Sequence, residues 1–256
     1  MTARMIPWIL LFLASFMNPV RAEVESSIPQ INRIVIDSIA SMPKQGGYST
    51  TGISNQEFLR AVSTSGGVLR VEPSRAIPSY CSEATYLVFL KTLGRLQQQG
   101  LTLSEETMKA LRPAGQPDGF GIWGRWNANG PGTARLFNEL GLGTNFSDLK
   151  RARPGDFLKV FWTDQIGASE HGHSVIFLGT ESVDGVSCLR FWSSNLHVGY
   201  GEKSVPLSKI RRMLFSRLES PGNINRHLPR RDSYLSQLEH ISSTPAEMDI
   251  QCGVIR

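Results

Sequence analysis

Cysteine is scarce in this chain. There are three among 256 residues, an odd number, so in an oxidising compartment one thiol is left spare or reactive. Charge is modest too: a formal net of +5 at pH 7 is weak grounds for any one partner. Basic residues thicken late, from Lys209 to Arg231. They read first as a solvated face and second as attraction to an anionic surface such as a wall polymer or phospholipid. No nucleic-acid motif is present, so nucleic acid is not expected as a partner. Beyond the N-terminus no segment is long and apolar enough to span a bilayer. There is no internal repeat and no low-complexity tract. The glycine-rich stretch from Gly115 to Gly132 lacks the spacing and the Lys-Ser/Thr ending of a phosphate loop. His171 and His173 have no convincing carboxylate or third histidine beside them, so neither a metal nor a cofactor is expected.

What is present begins with a leader. Arg4, the apolar run from Ile6 to Met17 and the small residues around Val20-Arg21-Ala22 have the layout of a secretory signal peptide. The run is shorter than the roughly twenty residues needed to cross a bilayer, which disfavours an uncleaved anchor. No cysteine follows the cleavage point to carry a lipid. The expectation is a leader over residues 1–22 and an exported protein, periplasmic or extracellular, without stable membrane insertion after cleavage. The remainder has the length of one domain with an elaboration, and nothing in it fixes an oligomeric state.

Periodicity divides that remainder. Pro29 to Met42 reads as an amphipathic helix, and Ser54 to Glu57 has capping-box spacing for a second one through Ala61. After Gly66-Gly67 comes a short strand, Val68 to Val71. Residues 23–75 are thus expected as an N-terminal helical extension. Ser82 to Gln99 is helical and apolar on every side around Tyr86 to Leu90, which implies burial all round. Two more helices follow, from Ser104 to Pro113 and from Pro131 to Leu140, with the glycine-rich segment between them read as a loop. Then the character changes to strands: Phe157 to Trp162, His173 to Leu178, and Cys188 to Trp192 across an Asp184-Gly185 hairpin turn. Met213 to Phe215 is a further strand, and the polar segment 221–256 is expected as a partly mobile tail. Helices first and antiparallel strands after predict an α+β fold for 76–220.

Cys81 carries the chemistry. A polar, turn-prone Pro78-Ser79-Tyr80 enters it and the buried helix leaves it, so the thiol is expected at the first turn, where the dipole favours thiolate. A histidine base is available downstream in Glu170-His171-Gly172-His173-Ser174. Residues 171 and 173 would face the same way on one strand, and His173, directly before the apolar run, is the expected base. Cys188 and Cys252 are then available to pair with one another, although Cys188, in an apolar run, reads equally as a buried thiol.

Three segments resemble a known family. Tyr80-Cys81-Ser82-Glu83-Ala84-Thr85-Tyr86 is similar to the cysteine segment of the NlpC-type, papain-like peptidases. Arg153-Pro154-Gly155-Asp156-Phe157 resembles their turn into the first sheet strand, and His173-Ser174-Val175-Ile176-Phe177-Leu178-Gly179 their histidine strand. The resemblance covers about residues 78 to 200. It implies a papain-like fold in which a central helix carrying Cys81 packs on an antiparallel sheet carrying His173. It further implies a cysteine peptidase or amidase acting on amide bonds of bacterial peptidoglycan, as the related CHAP amidases do. Glu83 departs from the small residue that family tends to have there, and a side chain at that point could narrow the cleft.

The third member of the expected site is Asn195, at the end of the strand beside His173, with His197 and Ser193 as alternatives. Tyr80 is expected to line the cleft or reach the oxyanion. Trp123 and Trp126, on a glycine-rich loop, are expected either to stack on substrate sugars or to fill the edge of the core. The expected reaction is amide hydrolysis through a thioester, with Cys81 as nucleophile, His173 as base and then acid, and Asn195 orienting the ring. Its expected substrate is a peptidoglycan stem peptide or related wall amide. An acyl or amide transferase of transglutaminase type and a non-catalytic wall-binding module are the rival expectations.

Overall fold

The computed structural model describes residues 28–255; the expected leader, 1–22, lies outside them. The fold is α+β, and its frame is an eight-stranded sheet laid on one long helix. The first part of the chain holds α1 (Gln30–Ala40), β1 (Gln45–Gly46), α2 (Gly52–Arg60) and the hairpin β2 (Val62–Ser65) and β3 (Val68–Val71). Four helices follow: α3 (Cys81–Gln98), α4 (Glu105–Leu111), α5 (Gly121–Asn127) and α6 (Gly132–Leu140). Next come β4 (Gly143–Phe146), β5 (Phe157–Phe161), β6 (Ile166–Gly167), β7 (His173–Val183), β8 (Val186–Asn195), β9 (Gly199–Pro206) and β10 (Arg212–Leu218). The last part is α7 (Ser233–Gln237), β11 (Ser242–Ser243), α8 (Pro245–Gln251) and β12 (Val254–Ile255). Across the sheet the order is β1-β9-β8-β7-β5-β10-β4-β12, antiparallel except for the β4–β12 pair.

Helix α3 is the axle. Ala84, Tyr86, Leu87, Val88, Phe89, Leu90 and Leu93 have no exposed surface, as expected of a helix apolar on every side. It packs on β7 and β8 on one side and on α1, α5 and β3 elsewhere. Phe157 and Ile176 from the sheet join the same core, while Leu158, Val160, Val175, Phe177 and Phe191 form a second core on the sheet's far face. Alternation therefore turns Lys159 and Ser174 toward α3.

The Arg153–Asp156 turn locks the extension to the sheet. Asp156 is fully buried and accepts from the Arg217 guanidinium at 2.8 and 2.7 Å, from Asn32 at 2.8 Å and from the Arg153 N–H at 2.7 Å. Gly155 has φ +92°, and a Cβ there would meet the Asn32 carbonyl oxygen at 2.6 Å, so glycine is required on two counts.

Three expectations need correction. The N-terminal extension is woven into the domain, because β1 is an edge strand of the main sheet and α1 covers α3. The segment after 220 is not a tail. It packs Tyr234, Leu235, Leu238, Met248 and Cys252 into buried clusters, and it supplies β12 to the sheet and β11 to β6. Its anchors are few and widely spaced, so no periodic signal announces them. Finally, Cys188 and Cys252 do not pair: all three cysteines are free and buried.

Candidate active site

Tyr80 is extended (φ −125°, ψ 176°) and Cys81 is the first residue of α3. The thiol therefore lies at a helix N-terminus, beside N–H groups outside the helical ladder and the positive end of the dipole. Two contacts fix this start. The Glu83 carboxyl accepts from the Tyr80 N–H at 3.3 Å. Ser79 is bridged in parallel to Tyr48, with Ser49 N–H donating to the Ser79 carbonyl at 3.1 Å. Cys81 keeps 9% of its surface exposed and His173 is half-buried.

His173 opens β7, and its ring lies edge-on against Phe191, with centroids 5.6 Å apart. Its imidazole faces the Cys81 thiol. Burial pushes that thiol up. The His173 hydrogen bond and charge, the Lys159 charge and the Ser174 N–H oppose it and prevail, leaving the thiol lowered to about 6. A sulfur in this state is substantially thiolate at neutral pH.

Tyr48 was not foreseen. Its phenol faces the Cys81 sulfur. Burial first, and then the nearby Cys81 and Glu83 charges, hold the phenol well above its ordinary range, so it remains a donor. Gly46 and Gly47 deliver it with φ of +91° and +79°, and a Cβ at Gly46 would strike Ile77 at 2.9 Å. The only sequence signal is that Gly-Gly-Tyr triplet.

Lys159 was likewise missed, because it sits inside an apolar strand. Its Nζ donates to the Ser174 hydroxyl at 3.2 Å, and that hydroxyl lies 3.5 Å from Ser82 Oγ. Asp118 approaches from the loop before α5. Its carboxylate accepts from the Asn129 N–H at 2.7 Å and faces Lys159 and His171.

Asn195 ends β8 and is buried. Its amide donates to the carbonyls of Gly201 at 2.9 Å and Ser193 at 3.3 Å, while Oδ1 is buried without a partner. Continuing the register past Ile176↔Trp192 sets Asn195 opposite His173. Ser193 is otherwise engaged, donating to the Ser174 carbonyl at 2.7 Å. His197 lies exposed in the β8–β9 turn at φ +70°. His171 is exposed outside the strand and does not share the face of His173, because Gly172 at φ +71° breaks the alternation.

The stacking role expected of the tryptophans is corrected. The segment from Gly121 forms α5, and Trp126 is fully buried, stacked on Phe89 with centroids 4.8 Å apart. Its indole N–H donates to Thr85 Oγ1 at 3.2 Å, and Thr85 in turn donates to the Cys81 carbonyl at 3.0 Å. Trp126 thus braces the nucleophile's helix. Trp123 is 4% exposed and packs on Phe58 and Tyr86. With Tyr80, Asn55, Gln116 and Asn127 it also lines a cavity of about 210 Å³. Tyr80 itself reaches Asn55 at 3.3 Å. Glu83 does not narrow the cleft either: it is fully buried beneath the helix start, and burial raises its carboxyl to about 8.

Comparison with family models, with curated proteins and with solved structures finds no match to this chain.

Proposed function

We propose that this chain is an exported cysteine hydrolase of papain-like, NlpC-type architecture that cleaves amide bonds in a cell-wall stem peptide or related amide. One observation carries the reading: a thiol at the first turn of a buried helix, facing an imidazole at the start of a sheet strand, lowered to about 6 despite its burial. The export and the wall substrate rest on the leader-like residues 1–22 and on the resemblance of three segments.

In this reading the Cys81 thiolate attacks the amide carbon. Charge moves to the carbonyl oxygen, where the first-turn N–H groups of α3 and the Tyr48 phenol are positioned to donate. His173 passes its proton to the leaving amine as the C–N bond breaks, giving a thioester. It then takes a proton from water, whose oxygen adds to the acyl carbon, and the thiolate leaves. The unpartnered Asn195 Oδ1 is the acceptor best placed to hold the imidazole from behind.

Mass spectrometry of muropeptides after incubation tests the reading. Wild type is expected to release new fragments and Cys81→Ser none. Intact muropeptides with both proteins would overturn the wall substrate. Incorporation of an added amine into the fragment would turn the reading to a transferase.

A further inference from the structure

We infer that Lys159 is a second cation for the Cys81 thiolate, held behind it through Ser174, so that the nucleophile stays anionic whether or not His173 carries its proton. The inference rests on the proposed role of Cys81. Lys159 is 5% exposed in a strand whose other residues, Phe157, Leu158, Val160 and Phe161, are buried and apolar. A lysine in such a place must be balanced by anions or it lowers stability.

The geometry shows how it is balanced. Ser174 stands opposite Lys159 in the β5–β7 register. Its hydroxyl receives Nζ at 3.2 Å and lies 3.5 Å from Ser82 Oγ, next to Cys81, and its backbone N–H helps to lower the thiol, so one residue stands between the two charges. Gly172 seals the far side: at φ +71°, with a would-be Cβ 2.7 Å from Lys159 Cε, it leaves the aliphatic stem just enough room. The groups facing the sulfur are Tyr48 from the segment after β1, Tyr80 and Glu83 from the helix start, Lys159 from β5, and His173 from β7. Burial pushes the Lys159 ammonium down, and the charges that oppose this are Cys81 first, then Asp118 and Glu170. Both carboxylates are already tied to backbone N–H groups, Asp118 to Asn129, and Glu170 to Trp162 and Gly172. Of these charges the sulfur acts most on Lys159, and Lys159 in turn lowers the thiol.

The consequence is chemical. In the thioester the sulfur carries no charge, but in the free enzyme a thiolate relying on His173 alone would lose its counter-charge whenever the imidazole is neutral. With Lys159 in place the charge persists. No bond is made or broken at Lys159.

Alkylation of Cys81 by iodoacetamide, mapped by mass spectrometry across pH, tests this in wild type, Lys159→Met, His173→Ala and the double variant. Lys159→Met is expected to move the alkylation midpoint up by about one unit, slowing alkylation about tenfold at pH values well below both midpoints and about twofold near neutral pH, while leaving the alkaline plateau unchanged. His173→Ala is expected to keep a lower midpoint than the double variant. A Lys159→Met profile that superimposes on wild type, or coincident profiles for His173→Ala and the double variant, overturns the inference. If Lys159→Met loses the alkaline plateau, Ser174→Ala decides: an upward midpoint supports the inference and an unmoved one overturns it. Slow alkylation of wild-type Cys81 until the ordinary thiol range would instead defeat the proposed function itself.

Discussion

Glu83 is the residue whose environment is most at odds with its chemistry. Its carboxyl is fully buried, one oxygen accepts from the Tyr80 N–H, and the other has no partner. Burial, the larger effect, and the nearby Cys81 charge raise it to about 8, against the help of the Tyr80 bond. A carboxyl raised by folding holds its proton more tightly folded than unfolded. Its contribution is therefore full below the unfolded value, near 4.3, and fades as pH rises toward 8. Chemical denaturation between these limits is expected to show wild type losing stability with rising pH. Glu83→Gln should lose less, the difference reaching a few kcal/mol at the alkaline end. Tyr48 is the complementary case, a donor aimed at the sulfur. Tyr48→Phe is expected to reduce turnover about a hundredfold with little change in KM, the loss typical of one oxyanion donor. A change confined to KM would place the phenol in substrate binding instead.

At the scale of elements, the parts that were legible are those with a local pattern. The all-round apolar run gave α3, and its polar entry put Cys81 at the start. Short apolar runs bounded by turn residues gave β5, β7 and β8, and Asp184-Gly185, with φ of 49° and 77°, closed the hairpin. Helix α5 was not legible because its glycines look like loop. In fact Gly124 is glycine because a Cβ would meet the Pro117 carbonyl oxygen at 2.2 Å, so close packing, not flexibility, demands it. Much of the site itself was hidden for another reason. Tyr48 and Lys159 come to face the sulfur from the segment after β1 and from β5, and such long-range meetings leave no spacing in the chain. Trp126 in α5 belongs to a cluster with Tyr86, Phe89, Phe137 and Phe157. Trp126→Ala is expected to lower unfolding stability by about 3–5 kcal/mol. Selective loss of sugar binding in a protein of unchanged stability would restore the stacking role.

For the molecule as a whole, the site is an assembly of distant segments gathered at one end of α3. The residues after β1 bring Tyr48, the helix brings Cys81, β5 brings Lys159, β7 brings His173 and the end of β8 brings Asn195. The buried Asp156 hub, binding Arg217, Asn32 and the turn before β5, ties the first segments to the later strands. Everything functional in this account descends from one charge separation inside that frame. Ultraviolet thiolate absorbance, read across pH as the difference between wild type and Cys81→Ser, measures it directly. The account predicts a step at about 6 that moves upward in His173→Ala. A wild-type step at the ordinary thiol value near 8.5 or above, indifferent to His173, would contradict it.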